Sequence, residues 1–324
     1  MPLICIILPV RNRQNYTQHI LSQISEQISK TQIDNISIIV IDDGSTDSTP
    51  EIITTQFPQV HLIQGDGTLW WTGAICLGMK YAIEKLVSDY LVWLNDDISL
   101  SADFIDRIWK ICQSPISHQA VIGGIVRDQT YPDWIVYSGM INKQLIRSLD
   151  YFTTGETLEV DTLNGNLAII PRTVVDKIGF PNAERFRHYG GDFEFVRRAK
   201  QSGFKVILSK ELQATTDYQA SDLIRHMPPW MQWQVADKSQ RQKILKGFTN
   251  LKIHYNIWHM VNINHYGDEP IPKWKYNVFY IRQIVKVLSS DFWSPSQREI
   301  KIREYLEQHN TPEAIAQKIW HPKS

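Results

Sequence analysis

The apolar positions in the first half of the chain fall in short runs that alternate with helical stripes. Leu3-Ile4-Cys5-Ile6-Ile7-Leu8 is a continuous apolar run, the pattern of a strand covered on both faces. Over residues 16–30, Ile20, Ile24 and Ile28 recur at every fourth position, which predicts a helix with one buried face. A second β-branched run, 36–41, stops abruptly at Asp42-Asp43-Gly44-Ser45. Ser48-Thr49-Pro50-Glu51 reads as a helix start, because proline suits a first turn whose N–H has no helical partner. Residues 60–63 predict a third strand, 74–87 a helix, and 90–94 a fourth strand that runs into Asn95-Asp96-Asp97. Such alternation implies βαβ units and a mostly parallel sheet flanked by helices, an α/β fold. Ligands of open sheets bind beyond the carboxyl ends of the strands, and the carboxylates at 42–43 and 96–97 both fall there.

From residue 120 the strands become shorter (121–126, 135–140, 167–170). A helix over 192–201 stopped by Gly203 follows, and then a strand over 205–208. Beyond about residue 212 strands largely cease. Ile244, Phe248, Leu251, Tyr255, Trp258 and Val261 form one helical stripe, and Trp274, Val278, Ile281, Val285 and Leu288 another, with Pro270 and Pro272 between them. The expected organisation is an α/β domain over 1–211 followed by a helical C-terminal region over 212–324.

Charge narrows the partners. Lysine plus arginine equal aspartate plus glutamate at 34 each, so no global field marks a nucleic-acid binder. Cys5, Cys76 and Cys112 have no metal-ligand spacing, which suits a reduced cytoplasmic setting better than a disulfide framework. The first apolar run is broken by Pro9 and followed by Arg11, as in a strand rather than a signal peptide. No apolar stretch approaches the roughly 20 residues that span a bilayer. The expectation is a cytoplasmic protein, with peripheral contact at the inner face of the membrane left open.

Each candidate cluster has a chemical and a purely structural reading. Asn95-Asp96-Asp97 offers hard oxygen ligands for Mg²⁺ or Mn²⁺, or it turns the chain and caps the next helix. Asp42 could accept hydrogen bonds from a base or ribose, or could end a strand. Asp192, behind Gly190 and Gly191 at a helix start, is a general base kept ionised by the helix N-terminus, or an N-cap. Gly65-Asp66-Gly67-Thr68 could cradle a phosphate and Trp70-Trp71 could stack on a base or sugar. The alternatives are a tight turn and a core aromatic pair.

Taken in order, these pieces resemble the family 2 glycosyltransferases over about residues 3–210. They are a strand ending Pro9-Val10-Arg11-Asn12, one ending Asp42-Asp43-Gly44-Ser45-Thr46-Asp47, one ending Asn95-Asp96-Asp97, and a later Gly-Gly-Asp-Phe-Glu helix. The run Gly-Asp-Gly-Thr-Leu-Trp-Trp-Thr-Gly (65–73) is similar to motifs of the bacterial rhamnosyltransferase-like branch. The resemblance implies a GT-A fold and inverting transfer from a nucleoside-diphosphate sugar, UDP- or dTDP-linked, to a glycan or lipid-linked acceptor in cell-surface glycan synthesis. It further implies that Pro9, Arg11 and Asn12 border the nucleotide and Asp42 holds its base. Asp97, with Asn95 or Asp96, would bind a divalent metal, and Asp192 would be the base. The departures are Gly191 where the family often has glutamate, so that a second carboxylate function is missing or moved to Glu194, and Asn95 where some members have aspartate. Cys76 also stands where relatives often carry asparagine.

Two other classes stay open: a nucleotidyltransferase, although the loop after the first strand is poor in glycine, and a non-catalytic sugar- or nucleotide-binding protein on the same fold. The C-terminal stripes, beside Lys273, Lys275, Arg282 and Lys286, fit packing on the catalytic domain, a homodimer contact or an interfacial helix on anionic lipid. His226 is a candidate late metal ligand.

Overall fold

A computed structural model of the protein describes residues 1–31, 33–153, 155–263, 265 and 270–320. The chain divides into two compact units, Met1–Arg187 with Gly191–Asp217, and His188–Gly190 with Tyr218–Ser324.

The first unit is built on one large sheet. Its parallel half is β1 (Ile4–Val10), β2 (Ile36–Asp42), β3 (His61–Gln64) and β4 (Tyr90–Leu94), ordered β4-β1-β2-β3. Next to β4 lies the antiparallel strand Leu167–Pro171, then Ala120–Asp128, then Lys205–Thr216 parallel to it. The helices of this unit are α1 (Gln14–Thr31), α2 (Thr49–Gln56), α3 (Trp70–Glu84), α4 (Phe104–Gln113), α5 (Arg172–Ile178) and α6 (Gly191–Gln201). This is the α/β arrangement, mostly parallel and flanked by helices, that the periodicity predicts.

The strands are apolar throughout because both faces are covered: all of β4 and nearly all of β1 are buried. Gly78 lets α3 lie directly on the sheet, since a Cβ there would fall 2.4 Å from Ile7 Cγ2 and 3.3 Å from Ile41 Cγ1. Three boundaries differ from the sequence reading. The helix expected over 74–87 begins at Trp70, because the buried Asp43 carboxylate accepts the Leu69 and Trp70 N–H groups that open it. The strand expected over 135–140 splits at Ser138 between two sheets. The strand expected over 205–208 runs to Thr216, across a register shift between Leu208 and Gln213 that periodicity cannot anticipate.

The second unit is helical: α7 (Ala220–His226), α8 (Pro229–Val235), α9 (Lys238–Gly247), α10 (Ile257–Asn262), α11 (Lys273–Ser289), α12 (Pro295–Gln308) and α13 (Glu313–Ile319). The stripe from Ile244 to Val261 is not one helix. α9 stops at Gly247, where a Cβ would lie 2.4 Å from the Tyr255 hydroxyl, and Asn256 caps α10 by accepting from His259 N–H at 2.8 Å. α11 forms as expected, but its stripe faces outward. Among the described residues, no helix is long and apolar enough to cross a membrane.

Candidate active site

β1, β2 and β3 end level, Val10 paired with Asp42 and Asp42 with Gln64. Just beyond, Asp43 N–H donates to Val10 O at 2.9 Å and Gly65 N–H to Asp42 O at 2.7 Å. Asp42 is fully buried; its Oδ1 accepts from Ser45 N–H at 3.0 Å, while Oδ2 has no partner. An unmatched buried acceptor costs about 1–3 kcal/mol, which a donor group of a ligand would relieve.

Its neighbour Asp43 is spent on the fold. Its carboxylate accepts from Gly67, Leu69 and Trp70 N–H at 2.9, 3.1 and 2.9 Å. Those three bonds fix the 65–70 loop, whose Gly67 (φ 85°) and Trp70 (φ 59°) are left-handed. Arg11, half exposed, donates to Gly67 O at 2.5 Å and lies 3.8 Å from Asp43. Asn12 (φ 52°) accepts from Thr46 N–H at 2.7 Å and donates its own N–H to Ser45 Oγ at 2.8 Å. Pro9 is half-buried, one residue before the end of β1. Thus Arg11, Asn12, Asp42 and Gly67 converge at one end of the sheet, linked through these two loops.

The acidic loop after β4 is held by Arg13, which the sequence reading did not single out. Its Nε lies 2.7 Å from Asp96 Oδ1 and its Nη2 3.0 Å from Asp97 Oδ2. Asp96 is buried and also accepts from Thr17 at 3.3 Å; burial pushes its pKa up to about 6 against the pull of Arg13. Asp97 is half exposed, with Thr216 donating to its backbone carbonyl at 2.8 Å. Asn95 Oδ1 accepts from Trp71 Nε1 at 2.9 Å.

These residues bear on a divalent metal. Asp97 is the exposed hard-oxygen donor of the loop, Asp96 is enclosed by Arg13 and Thr17, and one Asn95 lone pair is taken by Trp71. No cluster of three or more His, Cys, Asp or Glu suited to a metal occurs among the described residues. Such a donor set fits Mg²⁺ or Mn²⁺ bound through one or two carboxylates with the rest of its shell from phosphate and water.

Asp192 is the second residue of α6. Its Oδ2 accepts from Gly165 N–H and its Oδ1 from Phe193 N–H, both at 2.8 Å. Burial raises its pKa and outweighs those two N–H groups, so the helix start alone does not set its ionisation. Gly165 is wedged between two site residues: a Cβ there would fall 2.4 Å from Trp71 Cη2 and 2.9 Å from Asp192 Cβ. Trp71 therefore joins the acidic loop, through Asn95, to Asp192, through Gly165; behind it stands Trp93, edge-on at 5.6 Å. Gly191 packs on Thr72, whose Oγ1 would lie 2.4 Å from an added Cβ, so no larger residue fits at 191 as the structure stands. Glu194 is held by Arg198 at 2.6 Å, within its own helix. Cys76 is buried with its thiol donating to Pro181 O at 3.2 Å, and burial pushes its pKa to about 12. His226, in the other unit, places Nδ1 2.8 Å from Asp222 O.

Arg13 and Gly165 lie in no motif, and Thr72 lies in the 65–73 run with no role of its own readable there; each is given its role by a distant partner. Their partners lie 83, 119 and 27 residues away for the Arg13–Asp96, Gly191–Thr72 and Gly165–Asp192 pairs, where the middle separation is the difference of the two residue numbers.

The model of the family described as "Glycosyl transferase family 2" matches residues 5–178, more than half of the chain. The chain belongs to that family. Among curated members it is similar to an uncharacterized glycosyltransferase of Rickettsia typhi, 27% identical over 60% of this chain and 59% of the relative. It is also similar to a low-salt glycan biosynthesis hexosyltransferase of Haloferax volcanii, 22% identical over 52% of this chain and 54% of the relative. The chain thus spans less than two thirds of the length of either. A mannosyltransferase from Pyrobaculum calidifontis, solved with GDP-Man and Mn²⁺, shares the fold at a TM-score of 0.51 and 13% identity, over 99% of this chain and 88% of that one. The GT-A fold expected for the family is therefore present.

Proposed function

We propose that this chain transfers a glycosyl group from a nucleoside-diphosphate sugar to an acceptor hydroxyl with inversion, through a site in its first unit. The observation that carries this reading is the path Asn95–Trp71–Gly165–Asp192, which ties the acidic loop to a part-buried carboxylate beside an indole. Asp42, with its unmatched Oδ2, holds the base; Pro9, Arg11, Asn12 and Gly67 border the nucleotide; Asp97, with Asn95 and Asp96 behind it, holds a divalent cation. When bound, that cation neutralises charge developing on the leaving diphosphate.

Trp71 offers an apolar wall for the sugar. Asp192 takes the proton of the acceptor hydroxyl as its oxygen attacks the anomeric carbon from the face opposite the diphosphate, and a single displacement inverts that centre. A pKa raised by burial suits this role, because a base works best with a pKa nearer the working pH. Thr72 leaves room for only a glycine at 191 and Glu194 is engaged by Arg198, so Asp192 acts as a lone carboxylate.

UDP- or dTDP-hexose is the favoured donor, with a chemistry akin to the rhamnosyltransferase-like branch. A cell-surface glycan or its lipid-linked precursor is the favoured acceptor. A cytoplasmic site of action, with residues 1–211 catalytic and the helical region over 212–324 contacting membrane or partner, accords with this chemistry. Family membership supports transfer of a sugar over transfer of a nucleotide.

The test is release of nucleoside diphosphate from UDP-, dTDP- and GDP-sugars with and without Mn²⁺. One donor should be turned over in a metal-dependent way. Asp97→Ala should abolish the metal response, and Asp192→Asn should keep donor binding while lowering turnover by roughly two orders of magnitude or more. An Asp192→Asn variant of near-normal rate would remove Asp192 from the base role.

A further inference from the structure

α11 is amphipathic in the inverted sense. Its buried side is small: Val287 is enclosed and the Tyr280 ring sits 6.0 Å from that of Phe248. The opposite side carries Trp274, Val278, Ile281, Val285 and Leu288, exposed by 61, 54, 60, 59 and 43%, and Phe292 beyond the helix end, exposed by 90%. The spacings of 4, 3, 4 and 3 from Trp274 to Leu288 place those five in one row along the helix, and Phe292 follows past its end. Single exposed apolar residues are ordinary, but five in a row on one helix face are not.

Charge selects the occupant. Lys275, Arg282 and Lys286, seven and four residues apart, run along one edge of the row, and Lys273 stands at the helix start. Between residues 270 and 290 there is no aspartate or glutamate. The next acid, Asp291, is occupied by Trp233 Nε1 at 3.0 Å and Arg241 at 3.5 Å. A second copy of the helix laid on this face would bring cations toward cations with no acid to answer them. A surface of anionic headgroups over acyl chains matches both the apolar row and its basic edge. The helix has 17 residues and four cations, so it lies along such a surface rather than through it.

We propose that α11 is a docking face for an anionic lipid surface, with Trp274 to Phe292 entering the acyl boundary and Lys275, Arg282 and Lys286 meeting phosphate headgroups. This does not depend on the transferase reading.

Co-sedimentation of the full chain with vesicles tests it. The protein should pellet with equimolar phosphatidylcholine–phosphatidylglycerol vesicles, far less with phosphatidylcholine alone, and be released as salt is raised. Lys275→Glu with Arg282→Glu should weaken the association by roughly tenfold or more. Ile281→Ser with Val285→Ser should abolish it, while amide exchange in α8 and α12 stays as in the parent. No pelleting with the anionic vesicles would overturn the proposal, as would pelleting that neither double variant reduces. Self-association by sedimentation equilibrium, lost in the Ile281→Ser and Val285→Ser variant and without vesicle binding, would assign the face to a second copy instead.

Discussion

Replacing Asp43 by asparagine isolates the part of the site that is architecture. Asp43 Oδ1 accepts from Gly67 and Leu69 N–H, and Oδ2 accepts from Trp70 N–H with Arg11 3.8 Å away. An asparagine is the same shape but has a single acceptor oxygen. Kept at the Oδ1 position, it retains two bonds, turns an NH₂ toward the Trp70 N–H and loses the charge facing Arg11. The cost is one hydrogen bond to a charged acceptor plus a stranded donor in a buried place, about 2 kcal/mol. Because Trp70 opens α3 at φ 59°, the loss falls on the loop that presents Trp71. Hydrogen exchange reads this locally, which suits a chain of two units where a single unfolding midpoint mixes both. About 2 kcal/mol corresponds to roughly 30-fold faster exchange at the Leu69 and Trp70 amides. Asp42→Asn, at a carboxylate that accepts from Ser45 N–H instead, should leave those two amides unchanged. Unaltered exchange at Leu69 and Trp70 in Asp43→Asn, or equal acceleration in both variants, would refute this division of labour.

Further predictions come from the same contacts. Gly165→Ala forces a Cβ against Trp71 and Asp192, so it should cost about 1–3 kcal/mol and depress turnover well beyond that loss of folded protein, measured by steady-state kinetics beside urea titration. Arg13→Met leaves Asp96 buried without its cation and should cost about 3 kcal/mol; a variant as stable as the parent would show the pair to be dispensable. The carboxyl pKa of Asp192 is raised, so the proposed base is lost as pH falls through that elevated value. The acid limb of the turnover profile should therefore lie above the ordinary aspartate range and vanish with Asp192→Asn. In the second unit, burial lowers the pKa of His188, His254 and His259 to about 4, 3 and 4. Their neutral forms are favoured in the fold, so this stabilisation is complete above the unfolded value near 6.5 and is lost as pH falls toward 4. The ceiling is about 2 kcal/mol per histidine at pH 5. Protection of the α7 and α10 amides, taken relative to the intrinsic exchange rate at each pH, should fall between pH 7 and pH 5, and protection that did not fall would contradict it.

Some of this protein was legible in residue order alone. Continuous apolar runs such as 3–8 and 90–94 must be covered on both faces, so they announce an α/β sheet, and the acids that follow such runs fall together at one edge of it. Local chemistry sufficed for Pro50 in the first turn of α2 and for Asp192 at the start of α6. Where two segments far apart share one space, residue order is silent. That Asp43 builds the loop while Asp42 keeps a free oxygen depends on where Gly67, Leu69 and Trp70 fall once β2 and β3 are paired. The joint grip of Arg13 on Asp96 and Asp97, and the wedge of Gly165 between Trp71 and Asp192, arise for the same reason. Periodicity likewise predicts that α11 has an apolar face but not which way it turns. A helical stripe states only that apolar groups share a side, and what covers that side is decided by the packing of Val287 and Tyr280, which leaves Trp274, Ile281 and Val285 facing solvent.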